Sequence, residues 1–296
     1  MHPKIFRARK ANESTPLLNL PGEILNRIYS FALFSPSGLH YKALPIDQMP
    51  QGQKSIFYST TNHPRLPQAS NFRKTRKTHY HEFNQLKYTC RKLYHETAGL
   101  ELKLNPTITF TQDHTSTPAQ DFLLFATTCT PLYLSWLKTI TIGPSEEVSG
   151  DPLEDSISTF KRLGRFATAN PHTALKYIIG GWTYPPSNAC SLHSMLFIQT
   201  GVALSYLLRD RDLGSLGHGF VDVPKWPGIQ KWREGEGVVA FQTNNLRFCP
   251  DLRALPERFG GELREVWGDG GILLERMEKD VRVWEGFARG WVEGGL

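Results

Sequence analysis

Three short β-branched or aliphatic runs constrain this chain more than any other feature. They are Thr107–Phe110, Lys138–Ile142 and Ala174–Gly180. Their starts lie 31 and 36 residues apart, and each interval reads mostly as helix. Thr107-Ile108-Thr109-Phe110 and Thr139-Ile140-Thr141-Ile142 alternate polar and apolar residues, the period of a strand with one buried face. Crossovers of that length return the chain in the same direction, so parallel strands and an α/β fold are expected. Helix signals fill the gaps. Thr117-Pro118-Ala119-Gln120 supplies an N-cap, a proline at the first helical position and a glutamine at the third. Thr130-Pro131 opens a second short helix. Asp151-Pro152-Leu153-Glu154 opens a third, which runs to about Ala169, and Asn170-Pro171 ends it.

Further along, Ser191–Arg209 and Ile272–Arg289 read as helices, with a shorter one at Asp251–Phe259. Phe220–Val223, Val238–Gln242 and Leu263–Trp267 read as strands. Leu137-x-x-Ile140-x-Ile142 and Leu263-x-x-Val266 echo leucine-rich repeat strands without that family's asparagine ladder. The expectation for residues 112–296 is an irregular layer of alternating helices and mostly parallel strands, suited to recognising a partner.

The first third has a different texture. Residues 1–15 read as a basic tail with Lys4, Arg7, Arg9 and Lys10. A helix follows from about Pro21 to Leu33. Pro21 suits its first position, and Glu23 complements the helix dipole. Ile24, Leu25, Ile28, Phe31 and Ala32 fall three or four apart as one broad apolar stripe. Ser35-Pro36-Ser37-Gly38 stops the helix. Leu39–Leu44 and Lys54–Ser59 read as a hairpin. From Thr61 to Thr78 the chain is polar and basic, an exposed loop carrying Arg73, Lys74, Arg76 and Lys77. From Phe83, Leu86, Cys90, Leu93, Thr97, Leu100 and Leu104 alternate four and three apart and predict one amphipathic helix ended by Asn105-Pro106.

The order Leu-Pro-x-Glu-Ile-Leu-x-x-Ile-x-x-x-Ala-Leu at Leu20–Leu33 resembles the opening helix of an F-box, the module that docks substrate receptors onto ubiquitin ligases. Cys90-Arg91, followed by Glu96-Thr97, resembles the cysteine-arginine helix that accompanies it in F-box-like proteins of filamentous fungi, where a short strand comes next. All three parts occur here in order, across residues 16–111. About fifty residues separate the two helices, a long insertion relative to the compact three-helix module. The resemblance implies an intracellular protein-binding adaptor, cytoplasmic or nuclear. Its partner would be the adaptor subunit of a cullin–RING ligase, docked on Leu20, Pro21, Ile24, Leu25 and Ile28, with Cys90 and Leu93 behind. An unidentified protein substrate would be held by residues 112–296.

Charge leaves a second reading open. Residues 1–105 hold 16 Lys and Arg against 6 Asp and Glu, a balance of +10, while the rest of the chain carries −4. That basic third would attract an acidic partner or nucleic acid, or simply surround an ordinary fold. Catalytic chemistry is not visible: there is no G-x-S-x-G elbow, Walker loop or H-E-x-x-H, so no enzyme activity, cofactor or metal is expected. His79-Tyr80-His81-Glu82 holds potential zinc ligands but lacks a second ligand pair. His95-Glu96 reads as surface.

Cys90, Cys129, Cys190 and Cys249 are widely spaced and read as reduced thiols. Residues 1–7 carry no apolar leader. Tyr177–Leu208 is free of Asp, Glu, Lys and Arg, but polar residues break it into pieces too short for a bilayer span. Five of the seven tryptophans lie in the last 71 residues. Trp226 and Trp232, beside Lys225, Lys231 and Arg233, are the candidates for a partner surface, the alternative being that the rings pin a C-terminal layer to the core.

Overall fold

The computed structural model describes residues 15–43, 55–59, 82–111, 117–143, 157–179, 243–250 and 274–295, with helical residues at 198, 201, 202, 204–206 and 209. The class is α/β: helices with a six-stranded, mostly parallel sheet. The chain separates into two compact units, Met1–Thr109 with Cys129–Lys138, and Phe110–Thr128 with Thr139–Leu296.

In the first unit a single turn at Pro16–Asn19 leads into α1, Gly22–Ala32. Pro21 is the N-cap rather than the first helical residue; its carbonyl accepts from the amides of Ile24 (3.0 Å) and Leu25 (3.1 Å). The expected hairpin is present. β1, Leu39–Ala43, pairs antiparallel with β2, Ser55–Tyr58, with Tyr41 opposite Phe57. Gly38 makes the turn into β1 at φ 76°, and a Cβ there would lie 2.7 Å from the Thr107 carbonyl oxygen. Only glycine fits both demands.

The single helix expected from Phe83 to Leu104 is broken into a turn at Leu86–Tyr88, α2 at Arg91–Thr97 and α3 at Leu100–Leu104. Cys90 is extended (φ −157°, ψ 164°), and Gly99 takes φ 80°, so neither residue continues a helix. β3, Thr107–Phe110, follows with Ile108 and Phe110 fully buried.

In the second unit α4, Pro118–Thr128, starts with the predicted capping box. The Gln120 amide donates to Thr117 Oγ1 at 3.3 Å, and the Thr117 amide donates to Gln120 Oε1 at 3.4 Å. The short helix α5, Pro131–Trp136, is capped by Thr130 and lies in the first unit. β4, Thr139–Ile142, buries Ile140 and Ile142 completely. After α6, Ile157–Ala169, β5, Ala174–Ile179, runs parallel to β4 with Ile140 opposite Leu175. The next strand, β6 at Leu246–Pro250, is parallel to β5 and was not anticipated. The last helix, α7 at Leu274–Gly294, continues beyond the expected Arg289.

Aromatic rings fill this unit. Phe122 packs edge-on against both Phe110 and Phe166, and Phe160 against both Tyr177 and Phe248. The Trp291 indole N–H donates to the Phe248 carbonyl at 2.9 Å, satisfying a donor that would otherwise be buried unpaired. The Asn245 side-chain amide reaches the carbonyls of Ala167, Asn170 and Thr173 at 2.9 to 3.0 Å, tying the entry to β5 against the entry to β6.

Candidate docking surface

Helix α1 is apolar on two sides, and packing distinguishes them. Leu25, Tyr29 and Leu33 follow at intervals of four and are buried. They join Leu18 and Leu93 in one core cluster, with Leu20, Phe83, Leu86 and Cys90 packed around it. Ile24, Ile28 and Phe31, at intervals of four and three, lie on the other side. Ile24 is 45% exposed and Phe31 76%, Ile28 is half-buried, and Phe34 just beyond the helix is 53% exposed. An isolated exposed apolar residue is ordinary; several large ones along one helix face mark a contact surface.

The single stripe expected over Ile24, Leu25, Ile28, Phe31 and Ala32 is therefore two stripes. Leu25 and Leu93, expected in or behind the docking face, are core, because burying them is what attaches α1 to α2. Leu20 and Cys90 pack against the same core. Pro21, Ile24 and Ile28 remain on the accessible side, and Phe31 and Phe34 extend it. The sequence carried a signal for the division: Leu25, Tyr29 and Leu33 make their own i, i+4, i+8 series, which a search for one face merges with its neighbour.

The two motif helices meet despite the insertion between them. The Tyr29 hydroxyl donates to Glu96 Oε2 at 2.5 Å. Burial, and then the Glu96 carboxylate, push the Tyr29 phenol above its ordinary value, so it stays protonated and donates. Lys92 Nζ donates to the Leu18 carbonyl at 2.6 Å and stands 4.0 Å from Glu96 Oε1. Glu96 is on the surface, as the sequence predicts, and still joins α2 to α1.

Asn105 makes a second tie. Its side-chain amide donates to the Leu33 carbonyl at 2.6 Å and the Glu101 carbonyl at 2.8 Å, and its Oδ1 accepts from the Ser35 amide at 2.6 Å. A third cluster is ionic and buried. Lys87 Nζ lies 3.2 Å from Glu82 Oε1 and 3.9 Å from Glu101 Oε1, and Asn84 donates to Glu101 at 2.8 Å and to the Thr97 carbonyl at 2.7 Å. Burial raises the Glu82 carboxyl even though Lys87 opposes the shift.

This cluster bears on the metal question. Glu82 turns inward to Lys87, His79 and His81 lie outside the described residues, and among the described residues no three His, Cys, Asp or Glu are grouped to hold a metal. Burial pushes the Cys129 thiol up to about 11 and raises Cys249, which keeps both protonated and poorly nucleophilic.

Trp226 and Trp232, and Arg73, Lys74, Arg76 and Lys77, also lie outside the described residues. So do the strands expected at Phe220–Val223, Val238–Gln242 and Leu263–Trp267 and the helix at Asp251–Phe259. Trp284 and Trp291 are buried, so these two rings pin α7 into its own unit. Among the described residues no helix is long and apolar enough to cross a membrane. No protein-family model matches this chain, nor does any curated protein or solved structure.

Proposed function

We propose that this chain is an F-box-like adaptor, a substrate receptor that docks on the adaptor subunit of a cullin–RING ubiquitin ligase and acts by binding rather than catalysis. The supporting observation is the accessible face of α1, where Ile24, Ile28 and Phe31 stand clear of the core formed by Leu25, Tyr29 and Leu33. A helix that only held its own domain together would need one apolar face. Each aliphatic or aromatic side chain transferred from water into a partner's groove is worth roughly 1.5–3 kcal/mol, so three or four of them suffice to anchor a specific complex.

In this reading the docking residues are Pro21, Ile24, Ile28, Phe31 and Phe34, and the second unit holds a protein substrate. The location is cytoplasmic or nuclear. The test is capture of the purified ligase adaptor by the full chain. Ile24→Asp with Phe31→Asp abolishes capture while leaving the unfolding midpoint unchanged, since both side chains are exposed. A wild-type chain that does not bind the adaptor ends this proposal.

A further inference from the structure

We infer that Glu96 is a positioning residue for the accessible face of α1: through its hydrogen bond to Tyr29 it fixes the rotation of that helix, and so how Ile24, Ile28 and Phe31 are presented. The inference rests on the docking reading for its purpose, though not for its geometry. Packing by Leu25, Tyr29 and Leu33 holds α1 against α2, but apolar contacts are non-directional and tolerate rotation about the helix axis. A hydrogen bond is directional. The Tyr29 hydroxyl meets Glu96 Oε2 at 2.5 Å, and the acceptor belongs to a different helix 67 positions away.

Lys92, one turn before Glu96 on α2, adds a second anchor by donating to the Leu18 carbonyl at the entry to α1. One tie lies in the second half of α1 and the other on the turn that precedes it, so together with the Asn105 bond to the Leu33 carbonyl at its end they set the rotation of α1 and its position along α2. Ile24 and Phe31 make no comparable directional contact of their own, so their placement is inherited from these ties. A purely space-filling tyrosine would not need its hydroxyl, whereas this one ends at the rim of the buried face, on the carboxylate of the exposed Glu96.

The experiment uses the full chain and three variants, Tyr29→Phe, Glu96→Ala and Glu96→Gln. Tyr29→Phe keeps the ring and removes the donor. Glu96→Gln keeps an acceptor for the hydroxyl. Amide hydrogen exchange across Gly22–Ala32 is the first readout. Removing a hydrogen bond to a charged acceptor predicts exchange faster by about tenfold in α1 for Tyr29→Phe and Glu96→Ala, with Glu96→Gln near wild type and β4 and β5 unchanged in all three. Adaptor affinity, measured below the unfolding range, is the second: it falls several-fold for the first two variants and recovers with Glu96→Gln.

Exchange in α1 that ignores Glu96→Ala overturns the inference, as does a slowing or speeding shared equally by every element. If the wild type fails to capture the adaptor, the docking reading falls, and the exchange comparison still decides whether Glu96 sets α1.

Discussion

The two units are held together by different chemistry. In the second, the fully buried side chains are largely rings and aliphatics: Phe122, Ile140, Ile142, Leu175, Phe248 and Trp291 are at most 1% exposed. Its helices and strands gain their order from edge-on aromatic packing. The first unit also has an apolar core, but short elements meet there through side chains that bond to main chain or to charge. Asn105, Asn84, Thr97 and Glu101 are buried and polar, Lys87 pairs with Glu101, and Tyr29 bonds across to Glu96 on α2. A helix that displays apolar residues to solvent cannot rely on apolar burial alone to choose which side faces in. Directional bonds remove that ambiguity, and among the described residues the first unit carries them between its helices.

Truncating Phe122 should break the second unit most severely. It is fully buried against Phe110 and Phe166, so Phe122→Ala is expected to cost about 3–5 kcal/mol in urea unfolding, whereas Phe122→Leu, which fills most of the space, should cost much less. In the first unit the counterpart is Asn105→Ala. It strands the buried Leu33 carbonyl and Ser35 amide, for an expected loss of about 2–4 kcal/mol. A loss below about 0.5 kcal/mol there would mean that the polar ties are ornamental and that both units are ordinary apolar cores.

Gly99→Ala probes the break between α2 and α3. The positive φ disfavours any Cβ by about 1–2 kcal/mol, and the new methyl would come 2.6 Å from the Tyr133 ring. A stabilising effect would instead show that the two short helices can fuse. The smallest expected effect is pH-dependent. His40 on β1 stacks on Tyr58 with ring centroids 5.3 Å apart, and burial lowers its pKa below 6.5. The unfolded chain then takes up a proton more readily than the folded one. The stability His40 contributes is complete above pH 6.5 and is lost as pH falls through that value toward the lowered folded pKa. His40→Phe keeps a stacking ring and should flatten the stability profile in that window; an unchanged profile assigns the slope to other groups.

Much of the strand architecture was legible because period-two alternation in Thr-Ile-Thr-Phe and Thr-Ile-Thr-Ile has only one physical reading. The capping box at Thr117 and Gln120 was legible for the same reason. β6 was missed because Leu246-Arg247-Phe248-Cys249-Pro250 ends in a proline, a residue that argues against a strand, and nothing local shows that Asn245 will brace its entry. The helix expected over Phe83–Leu104 failed differently. Its apolar spacing is real, but a turn and two short helices can share one face, and only the φ of Gly99 and the extended Cys90 reveal the breaks.

The accessible side of α1 was half legible. Periodicity shows that a residue is apolar, not whether it meets its own domain or something else, so Leu25 and Ile24 were indistinguishable. Glu96 and Asn105 were illegible as ties because their partners, Tyr29 and Leu33, lie 67 and 72 positions away.

One hydrogen bond has a consequence for engineering. The Phe83 amide donates to the Phe57 carbonyl at 2.7 Å, so the chain leaves β2 and returns almost to its point of departure. A segment whose two ends are pinned together is thermodynamically decoupled from its own length: each doubling adds only about 0.6 kcal/mol of closure entropy. By this closure term alone, an affinity tag or a second domain inserted between Ser59 and Glu82 is expected to cost little stability, which urea unfolding of the chain with and without the insertion would check.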